Sequence, residues 1–508
     1  MDKSSFITSI RDSYAFKSSV IHLGAGVYGG EILADAKVNL PLKMMNRHGL
    51  ITGATGSGKT RTLQLIAEQL SAAGVPVFMP DMKGDLSGIA RAASTNEKIE
   101  ERAQALGITF EPEGFPVELY SLSGKCGAQM RATITEFGPV LLSKVLDLNE
   151  VQTGVMMILF KYADDKGLPV VDLNDLKKLL TYLADGPGAA EIKKEYGKIS
   201  TSTSGTILRK IVAVEQEGIE HLFGERSFDI QDLFSKVDGR GVISLLNVSD
   251  IQDKPRIFST YMLALLAELY EKLPEVGDQD KPKLVFFIDE AHLLFKDAGE
   301  AFMEQIDQVI RLIRSKGVGI FFCTQLTQDV PPTVLSQLGN RVHHVIRAFT
   351  PNDVKALKET IKTFPRSKYY DMEQQFTQLG TGQAFITVLN EKGIPTETVV
   401  THLRPPVSVM GPLDADEYES TMKGSDQYRK YQEQIDPESA FEILSKKMER
   451  YEKELEEAEV KKESGTSRSR RREKSTLEQV LQSSAARQVG REVVRGLFGM
   501  LFGKKLRR

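Results

Sequence analysis

The chain has 508 residues, a net charge of −3 and two cysteines, which allows two or three domains and a sizeable buried core. Cys126 and Cys323 stand far apart with no CxxC or Cys/His cluster around them, which excludes a disulfide framework and a zinc site and fits a reducing cytoplasm. The opening "MDKSSFITSIRDSYAFKSSV" lacks the apolar stretch of a secretion signal, and no apolar run reaches the length that crosses a bilayer.

In chain order, residues 1–44 read as a short N-terminal segment. Residues 45–130 read as the first part of an α/β core, with strands expected at "HGLIT" (48–52) and "VPVFM" (75–79). Residues 131–240 read as a helical insertion, because apolar residues recur there at three- and four-residue spacing, with a hinge at "GKISTSTSGT". The core resumes over 241–410, with strands at "GVISLLNV" (241–248), "KLVFFID" (283–289), "VGIFFC" (318–323) and "VHHVIRA" (342–348). Such β-rich runs alternating with helical patterns point to a mainly parallel sheet with crossover helices.

The sheet pattern stops at "LRPPVSVMGP". Residues 411–463 then read as a charged helical region, 464–475 as a basic linker and 476–508 as an amphipathic basic helix. From 464 onward twelve Lys or Arg stand against three Glu, so a body of net charge −12 carries a tail of +9. In the last segment Leu481, Ala485, Val489, Val493 and Leu497 form one stripe, and Arg487, Arg491 and Arg495 another. That pattern suits an anionic surface, a partner groove or another subunit.

"GATGSGKT" carries the first chemistry. Gly53, Ala54, Thr55, Gly56, Ser57, Gly58, Lys59 and Thr60 match the form in which backbone N–H groups curl around phosphates. Lys59 is then placed to reach the β- and γ-phosphates, Thr60 to bind Mg²⁺, and the following helix to present its positive end. "LVFFIDEAHLLF" supplies the partner: an apolar strand carries Asp289 to the edge where open α/β sheets bind ligands. Asp289 is expected to hold Mg²⁺, partly through water, and Glu290 to polarise the attacking water. A carboxylate directly after the Mg²⁺ ligand favours hydrolysis of ATP over nucleotide sensing. His292 reads as a local orienting or packing group.

The strand "VGIFFC" ends on the same edge, so Gln325 is placed to sense the γ-phosphate or the attacking water. Arg311 and Arg314 precede that strand and lie at the opposite edge. The helix "GEAFMEQIDQVIRLIRS" separates Arg314 from its own nucleotide by roughly 20 Å at 1.5 Å per residue. The two arginines therefore either complement the negative end of their helix or reach into a neighbouring subunit's site as arginine fingers. The second role requires a ring with head-to-tail interfaces. Asp81, Lys83 and Asp85 of "DMKGDLSG" are open between Mg²⁺-bound water, an interface and a plain Asp/Gly turn, and Arg347 is a candidate sensor in its own subunit.

These residues also carry a resemblance. The Gly53–Thr60 loop, "FFIDEAHLLF", "RSKGVG" and "CTQLTQDVPPTVLSQLGNRVHHVIRAFTP" together resemble the HerA/FtsK group of ring ATPases, most closely its bacterial HerA-like branch. "DMKGDLSG", "LFGERSFDIQDLF" and "LPEVGDQDKPKLVFFIDEAHLLF" extend the likeness from about residue 20 to about residue 500. The resemblance implies an additional-strand, catalytic-glutamate P-loop fold, ATP hydrolysis, and hexamers that thread double-stranded DNA through a pore. It also puts Arg314 at the position of the group's trans arginine and Gln325 at that of its sensor glutamine. Archaeal members carry an N-terminal β-barrel that docks a nuclease; the segment 1–44 is too short for one, so docking of that kind is not expected. Two functions compete: a DNA-translocating motor, and an ATP-gated assembly or regulatory module that acts through the basic C-terminal helix.

Overall fold

The structure is a computed structural model and describes residues 2–463 apart from 278, 296–299 and 434. The expected basic linker and C-terminal amphipathic helix lie outside the described residues. In chain order the elements are α1 (Lys3–Ser13), β1 (Val20–Tyr28), β2 (Glu31–Pro41), β3 (Gly49–Thr52), α2 (Lys59–Ala72), β4 (Val77–Asp81), α3 (Glu97–Ala105), β5 (Val117–Ser121) and β6 (Ala128–Gln129). Five helices follow: α4 (Ile134–Val145), α5 (Glu150–Lys166), α6 (Leu173–Ala184), α7 (Ala189–Glu195) and α8 (Thr201–Gln216). A small hairpin of β7 (Lys236–Val237) and β8 (Arg240–Gly241) leads to β9 (Ile243–Asn247), α9 (Pro255–Lys272), β10 (Leu284–Ile288), α10 (His292–Phe295), α11 (Glu300–Ile313), β11 (Val318–Thr324) and α12 (Pro332–Leu335). The rest is β12 (Asn340–His343), α13 (Pro351–Lys362), α14 (Met372–Gln378), β13 (Gln383–Thr387), β14 (Val399–Leu403), α15 (Ala415–Gly424), α16 (Asp426–Gln432) and α17 (Ala440–Glu463).

One 12-stranded sheet runs in the order β2-β1-β14-β13-β12-β3-β11-β10-β4-β9-β5-β6. From β12 to β6 every pairing is parallel, and from β12 through β13, β14 and β1 to β2 every pairing is antiparallel. β11 stands between β3 and β10. That inserted strand defines the additional-strand form of the P-loop NTPase fold. β3, β4, β9, β10 and β11 are buried on both faces, so they read as largely apolar runs rather than alternating ones. α2 packs on the sheet through Leu63, Ile66, Ala67 and Leu70, all fully buried. Their i, i+3, i+4, i+7 spacing forms one helical stripe, and each large aliphatic there contributes about 1.5–3 kcal/mol.

Three expectations change. The first 44 residues are no separate segment: β1 and β2 extend the sheet by pairing β1 with β14, while Phe6 and Ile10 of α1 join the main core. In β2 the signal was alternation, with Ala36, Val38 and Leu40 buried and Lys37 exposed. The strand expected over 342–348 ends at His343, because the chain leaves the sheet there to support the phosphate loop. The helix before β11 stops at Ile313, and Arg314 begins a short 3₁₀ turn. Contacts divide the chain into residues 1–446, which hold the whole sheet, and a second unit from 447, of which only the remainder of α17 is described.

Candidate nucleotide site

The phosphate loop leaves β3 and enters α2 through backbone shapes that only glycine adopts easily. Gly53 has φ 146° and Gly58 φ 110°, both in the region that penalises a Cβ. A Cβ on Gly53 would also sit 2.5 Å from the Cβ of His344, so the loop is pressed against the end of β12. Gly58 caps α2 without a side-chain hydrogen bond, which leaves the first N–H groups of the helix, and its positive end, for an anion. Lys59 Nζ donates to the loop's own carbonyls, Gly53 O at 2.7 Å and Ala54 O at 3.2 Å. Ser57 Oγ is buried and has no hydrogen-bond partner among the described residues.

The sheet register brings the acidic pair beside this loop. Ile288 of β10 pairs with Phe322 of β11, and Thr324 of β11 pairs with Thr52 of β3. Asp289 is thus level with Cys323, and Gln325 with Gly53. Burial pushes the Asp289 carboxyl up, partly offset by a hydrogen bond from Cys323, while Glu290 raises it further and the Lys59 charge lowers it. The N–H of Glu290 donates to Asp289 Oδ1 at 2.9 Å, and that of Ala291 to Cys323 O at 2.8 Å. Glu290 itself is left-handed, with φ 50°, a conformation that is uncommon for a non-glycine residue and tends to mark functional sites. Its Oε2 is buried and lies 3.3 Å from His292 Nδ1, but the two are not aligned for a hydrogen bond and Oε2 has no other partner among the described residues.

Gln325 is exposed at the same edge. The loop that carries it is tied by Asp329, which accepts from Thr324 Oγ1 at 2.6 Å and from Leu326 N–H at 2.9 Å. Arg347 is exposed beyond the end of β12. Asp81 organises a turn: its oxygens accept from the N–H groups of Lys83, Gly84, Asp85 and Leu86 at 2.7–3.3 Å.

The structure does not bring the two arginines to this edge. Arg314 precedes β11, and seven residues at ~3.3 Å each put roughly 20 Å between the strand's ends. Arg311 is exposed and pairs with Asp307 one helical turn earlier at 2.5 Å. Near Arg314 lies the buried His48, whose Nε2–H donates to Ile310 O at 2.9 Å while Nδ1 accepts from Ile320 N–H at 3.0 Å. Burial pushes this imidazole down to about 4, against a backbone hydrogen bond to Ile310, and the charges of Arg314 and Arg47 add to the shift.

The sequence reading missed His343 and His344, which stand under the phosphate loop. Their signal was visible as two adjacent imidazoles at the end of the strand, beside the buried Val342. Buried polar groups in such a strand need partners.

A family profile described as Helicase HerA-like C-terminal matches residues 30–507. The chain belongs to that family. It is an ATPase of the P-loop class. Among curated proteins it is 23% identical over 400 residues to the DNA double-strand break repair helicase HerA of Sulfolobus acidocaldarius, covering 75% of this chain and 70% of that one. It is 22% identical over 379 residues to the protein of the same description from Sulfurisphaera tokodaii, covering 73% and 68%. Among solved structures, the bacterial conjugative coupling protein TrwB is 15% identical, with a TM-score of 0.49, covering 79% of this chain and 94% of that one.

Proposed function

We propose that this chain is a ring-forming, cytoplasmic ATPase motor that acts on double-stranded DNA, with each active site completed by the neighbouring subunit. The observation that carries the ring is the separation of parts across one sheet. Lys59, Asp289, Glu290 and Gln325 share an edge, and Arg314 stands at the other. An arginine there is too far away to stabilise charge in its own site, and a head-to-tail ring is the arrangement that returns it to one. DNA as substrate is supported by the helicase family and by the repair helicases that the chain resembles.

The residues present fit Mg·ATP. The glycine cradle, the open end of α2 and the buried Ser57 Oγ and Glu290 Oε2, neither with a hydrogen-bond partner among the described residues, supply polar capacity for it. Thr60 and Asp289 are the side chains that would hold Mg²⁺, which when bound draws charge from the phosphoryl oxygens. Gly53 to Gly58 cradle the phosphates, and Lys59 turns from the loop carbonyls to the β- and γ-phosphates. Glu290 takes the proton of the attacking water, Gln325 orients that water, and the neighbour's Arg314 meets the charge that develops in the transition state.

The test is an ATPase assay with and without double-stranded DNA on a preparation whose mass has been measured in solution. A hexamer-sized particle whose turnover rises with DNA supports the motor. A monomer, or a ring whose turnover ignores DNA, removes it.

A further inference from the structure

β12 lies inside the sheet, where burial favours apolar side chains, yet its last residue, His343, and the residue after it, His344, are 1% and 0% exposed. Each ring has both nitrogens matched. His344 Nδ1 lies 3.1 Å from Gln383 O, a pure acceptor, so it carries the proton; Nε2 then accepts from Thr62 Oγ1 at 2.9 Å. His343 Nδ1 lies 3.1 Å from His344 O and is likewise protonated, so its Nε2 accepts from Thr327 Oγ1 at 3.2 Å. Thr327 Oγ1 in turn accepts from Thr360 Oγ1 at 3.1 Å. The Thr62 hydroxyl also lies 3.3 Å from Gly58 O, and its shorter contact is the one to His344 Nε2; with its proton there, one pair of neutral tautomers matches the chain. Burial pushes His343 down to about 4 and His344 to about 3, against the backbone bonds that raise them.

The two ends of the chain are in different parts of the site. Thr62 is in the first turn of α2, directly after the phosphate loop. Thr327 is two residues beyond Gln325, in the loop tied by Asp329. Between them, His344 N–H donates to Thr52 O at 2.8 Å and Ala54 N–H to Val345 O at 2.9 Å, so the backbone of this segment also braces the phosphate loop. Fully matched buried networks of this kind are stiff, and a half-matched one is costly.

The geometry points to His343 and His344 as positioning residues that couple the Gln325 loop to the phosphate-loop helix, so that engagement of the γ-phosphate at one is transmitted to the other. This rests on the reading that the site turns over ATP with Gln325 at the γ-phosphate. The chain reaches α13 as well, through Thr360.

Thr62→Val and Thr327→Val test the coupling, because each removes one hydroxyl and keeps the side chain's volume. Thr62→Val is expected to lower kcat about 3- to 10-fold, as the loss of its hydrogen bond to His344 predicts, and Thr327→Val, which also loses the bond from Thr360, by at least as much, each with KM for ATP changed less than about twofold. The double variant is expected to match the worse single variant rather than the product of the two, since both cut one chain. His343→Gln, whose amide oxygen replaces Nε2 as acceptor, is expected to recover most of the turnover that His343→Leu loses. Hydrogen exchange gives a second readout that needs no turnover: a non-hydrolysable ATP analogue is expected to protect amides 324–330 in the wild-type chain, and Thr62→Val to lose that protection while still binding the analogue.

Multiplicative kinetic effects, or protection of 324–330 that survives Thr62→Val, overturn the coupling and leave the histidines as structural groups. A wild-type chain that binds the analogue without hydrolysing ATP overturns the catalytic reading, and the exchange experiment still decides the coupling. A chain that binds no nucleotide overturns both.

Discussion

At the phosphate edge of the sheet Glu290 holds a left-handed backbone, and Ser57 Oγ and Glu290 Oε2 are buried without hydrogen-bond partners among the described residues. At the opposite edge both nitrogens of His48 are matched, and the Asn340 amide donates to Met44 O at 3.0 Å and His48 O at 2.9 Å. The same two strands, β3 and β11, connect the edges. An unmatched buried polar group costs about 1–3 kcal/mol, and a strained backbone residue a similar amount. One edge therefore keeps polar capacity for a ligand, while the other is a finished mount that fixes the turn bearing Arg314. The contrast is what the proposed composite site requires: a receptive half, and a rigid half for a neighbour.

Substitutions separate the two halves, beginning with the largest effect. Lys59→Ala is expected to abolish turnover and weaken nucleotide binding, since it removes the charge aimed at the phosphates; a steady-state assay with equilibrium binding checks this, and ordinary turnover would remove the site. Arg314→Ala is expected to bind ATP nearly as the wild type does and to lose on the order of 10³ or more in turnover, the scale measured for arginine fingers. If turnover falls less than about tenfold, Arg314 is a helix-end charge. Glu290→Gln is expected to keep ATP bound and to slow turnover by about 10²–10⁴, the range for a general base. Near-normal rates would make Glu290 a helix-start residue only.

Smaller effects concern stability. His48, His343 and His344 are buried and held near 4, 4 and 3, against about 6.5 for an unfolded imidazole. The unfolded chain thus binds more protons from about 6.5 down to about 4 for His48 and His343 and about 3 for His344, so stability is full above that window and is lost as pH falls through it. Each ring contributes on the order of a few kcal/mol. Imidazole NMR titration of the folded chain should find all three rings neutral near the middle of that window, and a ring that protonates near 6.5 would not be held neutral. Arg311→Ala should cost under about 1 kcal/mol, as for other exposed ion pairs, and change turnover little; a large kinetic loss would give Arg311 a share of the finger role.

Most of the parallel half of the sheet was legible because its central strands are buried on both faces and read as unbroken apolar runs, "LVFFI" and "VGIFFC" above all, whereas β5, "VELYS", and the two-residue β6 were not expected. The phosphate loop and the acidic pair were legible from their chemistry and from the strand ends that carry them. The antiparallel wing was less so: β2 alternates, but β1 is broken by Gly24 and Gly26, and "QAFIT" of β13 and "VVTHL" of β14 are short and interrupted by polar residues. The histidine chain was visible only as an oddity at 343–344. Its partners Thr62, Thr327, Thr360 and Gln383 are scattered along the sequence, and tertiary packing alone brings them together.

The most direct test of a site shared between subunits is a mixing experiment. Glu290→Gln subunits keep Arg314, and Arg314→Ala subunits keep Glu290, so a mixed ring contains interfaces where an intact Arg314 faces an intact Glu290. When the two inactive variants are combined under conditions that exchange subunits, part of the wild-type ATPase activity should return. No recovery despite demonstrated exchange would place Arg314 outside its neighbour's site and contradict the account.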